Sequence, residues 1–226
     1  MPDRAGASPS LESPGAAVGA ADGVVAPSRW RTSPGRLVIL LSGLWLFGSG
    51  DALLLAAGLG NAPWTVLAEG VAGRTPLSVG IATLLIGAVV LLGWVPLRER
   101  PGLGTVCNVV VIGLAIDVML PLVPDPGAFG ARGVQALAGI AAVGLGSGLY
   151  LTAALGPGPR DGWMTGLCRR YGWPVWRVRL GIEAAVLALG WLLGGTIGLG
   201  TVAYTLLIGF AVDAGLRLVG GTRGAR

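Results

Sequence analysis

Long apolar runs separated by short polar segments dominate the pattern of this chain. Because a helix needs about 20 apolar residues to cross the roughly 30 Å hydrocarbon core of a bilayer, runs of this length predict membrane-spanning helices. Six runs come close to that length or exceed it, at 37–59, 77–95, 103–123, 134–155, 178–193 and 199–219. The fifth run is the shortest. The pattern predicts an all-α membrane protein with six transmembrane helices.

Two further apolar stretches, 63–73 and 160–171, have only about half the length that a crossing needs. We expect each to form a short interfacial or re-entrant helix. Residues 1–36 are rich in Ala, Gly, Pro and Ser and show no apolar period. Such a segment cannot bury enough surface to offset its ordering entropy, so we expect a disordered cytoplasmic tail over 1–36. A second short cytoplasmic tail is expected over 220–226.

Composition supports a lipid environment, since 53% of the 226 residues are hydrophobic and only 12% are charged. The net charge is +5, and all of the positive charge comes from arginine in short segments between the apolar runs, which argues against a nucleic-acid surface. The chain has no histidine, and Cys107 and Cys168 lie far apart. No metal site, disulfide framework or cofactor is therefore expected.

An internal repeat divides the chain at an offset of about 96 to 98 residues. The matched segments share Gly, Thr, Trp and Asp landmarks in the same order: Gly102-Leu103-Gly104-Thr105-Val106 with Gly198-Leu199-Gly200-Thr201-Val202, Gly48-Ser49-Gly50 with Gly146-Ser147-Gly148, Pro63 and Gly70 with Pro159 and Gly166, Gly93-Trp94 with Gly190-Trp191, and Asp117 with Asp213. The repeats are predicted to occupy 37–124 and 134–219. Since each contains three crossings, an odd number, they must insert in opposite orientations.

Arginine positions give a second indication of this inverted topology, because cytoplasmic loops carry an excess of positive charge. With a cytoplasmic N-terminus, the inside segments hold Arg4, Arg29, Arg31, Arg36, Arg98, Arg100, Arg160, Arg169, Arg170, Arg177, Arg179, Arg217, Arg223 and Arg226. Only Arg74 and Arg132 fall outside. We therefore expect both termini in the cytoplasm. The use of arginine without any lysine is typical of a GC-rich bacterial genome, so we expect the inner membrane of a bacterium.

Three motifs carry a resemblance to a known family. They are Ala62-Pro63-Trp64-Thr65-Val66-Leu67, the segment from Gly158 to Leu167, and the two Gly-Leu-Gly-Thr segments. Over residues 41–219 the chain resembles the YczE/YitT-like integral membrane proteins of bacteria. The resemblance implies an integral membrane protein of a family often described with about five helices, and it implies no particular biochemical activity.

Four acidic residues lie inside the predicted spans: Asp51, Asp117, Asp213 and Glu183. Intramembrane acids are costly and are therefore functional candidates. With a helix rise of about 1.5 Å per residue, Asp51 and Asp117 lie near the outer third of the membrane, and the other two near the inner third. In inverted-repeat transporters the solute site lies between the repeats, so these acids are candidates for a translocation path or for proton coupling.

Local ion pairing is the alternative for the two inner acids. Arg217 follows Asp213 by four residues and Arg179 precedes Glu183 by four, so each pair shares one helix face. For Asp51 and Asp117, which have no such base nearby, the alternative is a role in packing or at a helix end.

The segment 156–162, Gly-Pro-Gly-Pro-Arg-Asp-Gly, has the features of a helix start, where free backbone N–H groups favour an anion. Together with Arg160, Asp161, Arg169 and Arg170 it is a candidate contact for an anionic ligand or lipid headgroup. The alternative is that these arginines only set the topology and touch anionic lipid at the cytoplasmic face.

The leading functional hypothesis is a small secondary transporter or exporter of an unidentified solute, and not an enzyme. A non-catalytic membrane partner or scaffold for another membrane protein is the alternative. A remote alternative is an intramembrane aspartyl protease, because Gly48-Ser49-Gly50-Asp51 resembles the Gly-x-Gly-Asp motif of those enzymes. Such chemistry needs two carboxylates that share a proton, and Asp117 would be the second.

Overall fold

A computed structural model describes the backbone of residues 29–221 and the side chains of residues 29–219. Its regular structure is entirely helical: α1 Pro34–Ala57, α2 Pro63–Ala72, α3 Val79–Leu92, α4 Trp94–Leu97, α5 Leu103–Met119, a 3₁₀ turn Leu120–Leu122, α6 Phe129–Thr152, α7 Pro159–Tyr171, α8 Val175–Leu192 and α9 Leu199–Gly221. The predicted all-α class is confirmed. Residues 1–28 and 222–226 of the two predicted tails lie outside the described residues.

The first long helix begins before the predicted end of the N-terminal tail. Ser33 lies in extended backbone, its hydroxyl accepts a hydrogen bond from the Arg36 N–H at 3.4 Å, and Pro34 takes the first helical position. The Arg36 guanidinium donates to the Ala153 carbonyl at 2.6 Å, which ties this end of α1 to the end of α6. Part of the segment 29–36 is thus helical and packed, which differs from the expected tail.

Five helices are long and apolar enough to cross a membrane, at Pro34–Ala57, Val79–Leu97, Leu103–Leu122, Phe129–Thr152 and Leu199–Val219. They match five of the six predicted spans. The remaining predicted span, the fifth run at 178–193, corresponds to α8, which is 18 residues long and contains Arg177, Arg179 and Glu183. These three charges separate α8 from the other five.

Helices α1 and α6 cross at the centre of the bundle in very close contact. An added Cβ at Gly50 would lie 2.6 Å from the Gly139 carbonyl oxygen, and one at Gly43 would lie 2.7 Å from the Tyr150 backbone nitrogen. Helix α5 packs against α1, and α9 packs against α6. Since lipid supplies no hydrophobic drive between helices, close van der Waals packing at such small residues is what holds them together.

The two short helices pack against the opposite half of the chain. Helix α2 contacts α8 in addition to its own neighbour α3, while α7 contacts α3 and α4 in addition to its own neighbour α8. The Trp163 indole N–H donates to the Val90 carbonyl at 2.6 Å, and the Trp94 indole N–H donates to the Pro159 carbonyl at 2.8 Å. As predicted from their length, α2 and α7 are short, and each begins with a proline.

Candidate solute-binding cavity

A cavity of about 590 Å³ lies between α8 and α9 and reaches the start of α7. The side chains that line it are aromatic, polar and charged, and they include Tyr150, Arg160, Asp161, Arg179, Glu183 and Tyr204. Helices α8 and α9 are neighbours in sequence, yet they make little contact in the described structure. This gap creates the cavity.

A second, smaller cavity of about 60 Å³ lies between α3 and α5. Trp64, Asn108 and Arg160 line both cavities. Asp51 and Thr65 line only the smaller one. The three shared side chains therefore form a layer between the two cavities, and we call it the central layer.

Arg160 is the second residue of α7, and its side chain is half-buried. The guanidinium carbon lies 5.8 Å from the centre of the Phe47 ring and 5.6 Å from that of the Trp64 ring. The Tyr204 side chain lies near the guanidinium and also lines the larger cavity. Among the described residues, no carboxylate oxygen lies within 4.0 Å of its nitrogens. Arginine keeps its charge in proteins, so a guanidinium here is available to an anionic group.

Asp51 is the one predicted intramembrane acid that is almost fully buried, with 4% of its surface exposed. It lines the smaller cavity together with Thr65, which lies at the start of α2. Its Oδ1 atom has no hydrogen-bond partner among the described residues. Leaving a buried polar atom unpaired costs about 1–3 kcal/mol, and more for a charged group. This oxygen is therefore a candidate ligand contact.

Asp117 lies elsewhere, at the junction of α3 and α5. Its carboxylate accepts hydrogen bonds from the Ser78 hydroxyl at 2.5 Å and from the Gly80 backbone N–H at 2.8 Å. Both oxygens are engaged in holding the start of α3 against α5. The structure thus does not join Asp51 and Asp117 in one carboxylate pair of the kind that an aspartyl protease needs.

The two inner acids form the local ion pairs that their spacing indicates. Asp213 Oδ2 lies 2.8 Å from the Arg217 guanidinium, and Glu183 Oε1 lies 3.1 Å from that of Arg179. Glu183 and Arg179 line the larger cavity, whereas Asp213 does not. The Asp213 side chain is 58% exposed, so its ion pair contributes little stability.

The four residues expected to contact an anion or a lipid headgroup separate into two places. Arg160 and Asp161 line the larger cavity. Arg169 pairs with Glu99 at 3.0 Å, and Arg170 donates to the Pro96 carbonyl at 3.0 Å. The latter two tie the end of α7 to the segment around α4, away from the cavity lining.

Sequence reasoning missed four cavity residues, Trp64, Asn108, Tyr150 and Tyr204. The repeat holds a signal for most of them. At the offset that aligns the two Gly-Leu-Gly-Thr segments, Asn108 matches Tyr204 and Trp64 matches Arg160. Both matched pairs line the cavities, so a polar or aromatic residue at the same position in each half marks the region where the halves meet.

The cavity lining offers no metal centre. No group of three or more His, Cys, Asp or Glu side chains suited to a metal ion occurs in the part of the chain that the structure describes. Cys107 and Cys168 are free thiols.

Comparison with known proteins identifies relatives across most of the chain. Residues 34–216 match the family model of DUF6198, described as a family of unknown function. An uncharacterized protein of Haemophilus influenzae is 42% identical over 194 residues, which cover 86% of this chain and 89% of the relative. The protein named uncharacterized membrane protein YczE of Bacillus subtilis is 33% identical over 183 residues, which cover 80% and 82%. No solved structure matches the chain. These matches confirm the family resemblance drawn from the motifs.

Proposed function

This chain belongs to the DUF6198 family of membrane proteins, and we propose that it is a small secondary transporter whose solute occupies the cavity between α8 and α9. On this proposal it is not an enzyme. It lies in the bacterial inner membrane with both termini in the cytoplasm, and its arginine-rich side contacts anionic lipid headgroups.

We further propose that α8 is a sixth crossing, so that the protein consists of two inverted three-helix repeats. At about 1.5 Å per residue, a helix of 18 residues reaches roughly 27 Å, close to the hydrocarbon thickness. Equivalent hydrogen bonds support the repeat. The Gly104 N–H donates to the Leu155 carbonyl at 2.9 Å, and the Gly200 N–H donates to the Leu59 carbonyl at 2.7 Å. Each bond joins one half to the other at matching positions.

The observation that carries the transport proposal is a difference between the two halves. An added Cβ at Gly113 of α5 would lie 2.6 Å from the Gly80 carbonyl oxygen and 3.4 Å from the Leu84 Cβ, so α3 packs tightly on α5. The equivalent residue in α9, Gly209, has nothing within 4 Å of its Cβ position. The residue of α8 that is equivalent to Leu84 is Gly181, when Gly93-Trp94 is aligned with Gly190-Trp191. Gly181 also has nothing within 4 Å of its Cβ position. One half is closed and the other is open.

In an inverted-repeat transporter the two halves exchange such conformations, which opens the central site to each side in turn. In the second state of this protein, α8 closes on α9 through Gly181 and Gly209, while α3 leaves α5. Asp213 then accepts hydrogen bonds from the start of α8, as Asp117 now does from the start of α3. This second state explains why residue 209 is a glycine although nothing lies near it in the open half: α8 would approach it there.

Disulfide cross-linking tests this movement. Gly181→Cys and Gly209→Cys are combined in the full chain with both native cysteines replaced by serine, and the protein is oxidised in lipid vesicles. A disulfide forms only when the two Cα atoms approach to about 7 Å or less, so a cross-link reports the closed second half. Leu189→Cys with Leu218→Cys is the matched control, because both side chains are exposed and each lies near the C-terminal end of its helix, so that the two are far apart in a pair of consecutive helices.

We expect the 181–209 pair to cross-link and the control pair to stay reduced. If the 181–209 pair stays reduced under every ion gradient while both thiols remain reactive to maleimide, the cavity is static and the transport proposal fails. The alternative of a non-catalytic membrane partner predicts this static result together with one stoichiometric partner in mild detergent.

A further inference from the structure

We propose that the cavity takes a zwitterion, a small molecule that carries an anionic group and an ammonium group, held between Arg160 and Asp51. This inference rests on the proposed transport function and names the chemical class of its solute. It follows from side chains in and beside the central layer whose polar groups have no partners of their own.

The anionic group is recognised on the Arg160 side. The guanidinium lacks a carboxylate within 4.0 Å among the described residues, and it lies against the Trp64 ring. The Trp64 indole nitrogen is itself a buried donor with no acceptor in the described part of the chain. Both of these side chains line the region that the two cavities share. A planar carboxylate, or a phosphate, can accept from both.

The ammonium group is recognised by Asp51. Its Oδ1 atom is buried and has no donor among the described side chains and backbone groups. Asp51 and Arg160 line the same 60 Å³ cavity, yet they form no ion pair at 4.0 Å or less. Two opposite charges that share a cavity without pairing leave room between them. A ligand with one anionic and one cationic group would pair with Arg160 and Asp51 at the same time.

The balance of charge favours a zwitterion over a simple ion. The charged residues that line the two cavities are Asp51, Arg160, Asp161, Arg179 and Glu183. Arg179 and Glu183 neutralise each other at 3.1 Å, which leaves one positive and two negative groups. A bare anion would add to an excess of negative charge, and a bare cation would leave Arg160 unpaired. Unpaired charge in a low-dielectric site is costly, so a ligand with both charges fits best.

Two sources can supply this chemistry. One is a free amino-acid-like solute, and the other is the headgroup of an aminophospholipid that reaches the cavity through the gap between α8 and α9. Both contain an anionic group and an ammonium group joined by a short linker. The two sources are separated by the experiment.

Binding is measured on the full-length protein. Thermal unfolding in detergent is followed with a pool of neutral amino acids, a pool of straight-chain monocarboxylates and a pool of primary amines, each at millimolar concentration. In a second arm, native mass spectrometry compares retention of phosphatidylethanolamine and phosphatidylglycerol from nanodiscs. If the solute is a free amino acid, we expect the amino acids to raise the midpoint of thermal unfolding by roughly 2–4 °C. If it is a lipid headgroup, we expect phosphatidylethanolamine to be retained in preference to phosphatidylglycerol.

Variants assign the effect to the site. Asp51→Asn and Arg160→Gln each abolish the shift or the retention, whereas Arg169→Gln, which pairs outside the cavity, keeps it. If Arg160→Gln does not fold, Arg160→Lys replaces it, and we expect weaker binding because the bidentate donor pair is lost.

The proposed zwitterionic ligand class is wrong if monocarboxylates alone or amines alone stabilise the protein as strongly as amino acids do. It is also wrong if Asp51→Asn retains full binding. The absence of binding by all three pools of small molecules and by both lipids would likewise overturn the proposed ligand class. Cross-linking of the 181–209 pair remains independent of these results. Movement without zwitterion binding would overturn the ligand class alone, and binding without movement would overturn only the transport mechanism.

Discussion

Replacing Asp117 by alanine tests whether the two halves move together. The carboxylate accepts one hydrogen bond from Ser78 at 2.5 Å and one from Gly80 at 2.8 Å. Hydrogen bonds to a charged group contribute about 1.5–3 kcal/mol each, so the variant loses roughly 3–6 kcal/mol that holds α3 against α5. Every 1.4 kcal/mol is a factor of ten, so the open first half becomes at least about a hundredfold more populated.

The assay consists of two measurements, each made in the chain whose two native cysteines are replaced by serine. Spin labels at Ile81→Cys on α3 and Leu114→Cys on α5, both exposed positions, report the distance between those helices. The cross-link of the 181–209 pair reports closure of the second half. We expect a longer distance and a higher cross-link yield in Asp117→Ala. Asp117→Asn keeps an acceptor oxygen but loses the charge, so its effect should be intermediate.

Asp213→Ala is the matched control in the other half. Its exposed ion pair is worth about 0–1 kcal/mol, so the described state should change little, while the acceptor for the closed second half is lost and the cross-link yield should fall. A longer α3–α5 distance in Asp117→Ala with an unchanged cross-link yield would mean that the halves move independently. That result would refute the proposed coupling.

Three further predictions concern packing, a connecting contact and topology. Gly50→Ala places a methyl group 2.6 Å from a carbonyl of α6 and should destabilise the protein by about 1–3 kcal/mol in denaturant titrations, whereas Gly209→Ala, in open space, should be nearly neutral. Equal losses would contradict this packing. Glu69→Ala removes two 2.7 Å hydrogen bonds to the loop between α8 and α9, and proteolysis of that loop should become faster; unchanged cleavage rates would argue against this contact. Arg74→Cys and Arg170→Cys should react with impermeant maleimide from opposite sides of the membrane, and labelling from one side would refute the inverted topology.

Helix positions could be predicted well because length, apolarity and proline are local properties of the sequence. Pro63 and Pro159 start the short helices, as they have no backbone N–H to lose at the first helical position. Helix α8 was the weakest of the predicted spans, and its charged residues explain why it differs from the others. The packing of α2 on α8 joins residues over 100 positions apart, and no periodicity reports it.

The cavity was harder to predict because depth in the membrane does not tell which way a side chain faces. Asp51 and Asp117 were placed at a similar depth, yet one lines the small cavity and the other joins α3 to α5. Tyr150 lies in an apolar run, and only contacts between helices show that it lines the larger cavity. The predicted roles in translocation and proton coupling remain predictions.

The exchange of short helices between the halves bears on how such a protein could arise. Helix α2 packs on α8 as well as on its own neighbour α3, and α7 packs on α3 and α4 as well as on its own neighbour α8, so each half covers part of the other half's short helix. On the inverted-repeat proposal, a single-copy ancestor would have assembled as a dimer of oppositely inserted chains. Gene fusion would then have fixed that arrangement and allowed Trp64 and Arg160 to diverge at one ancestral position.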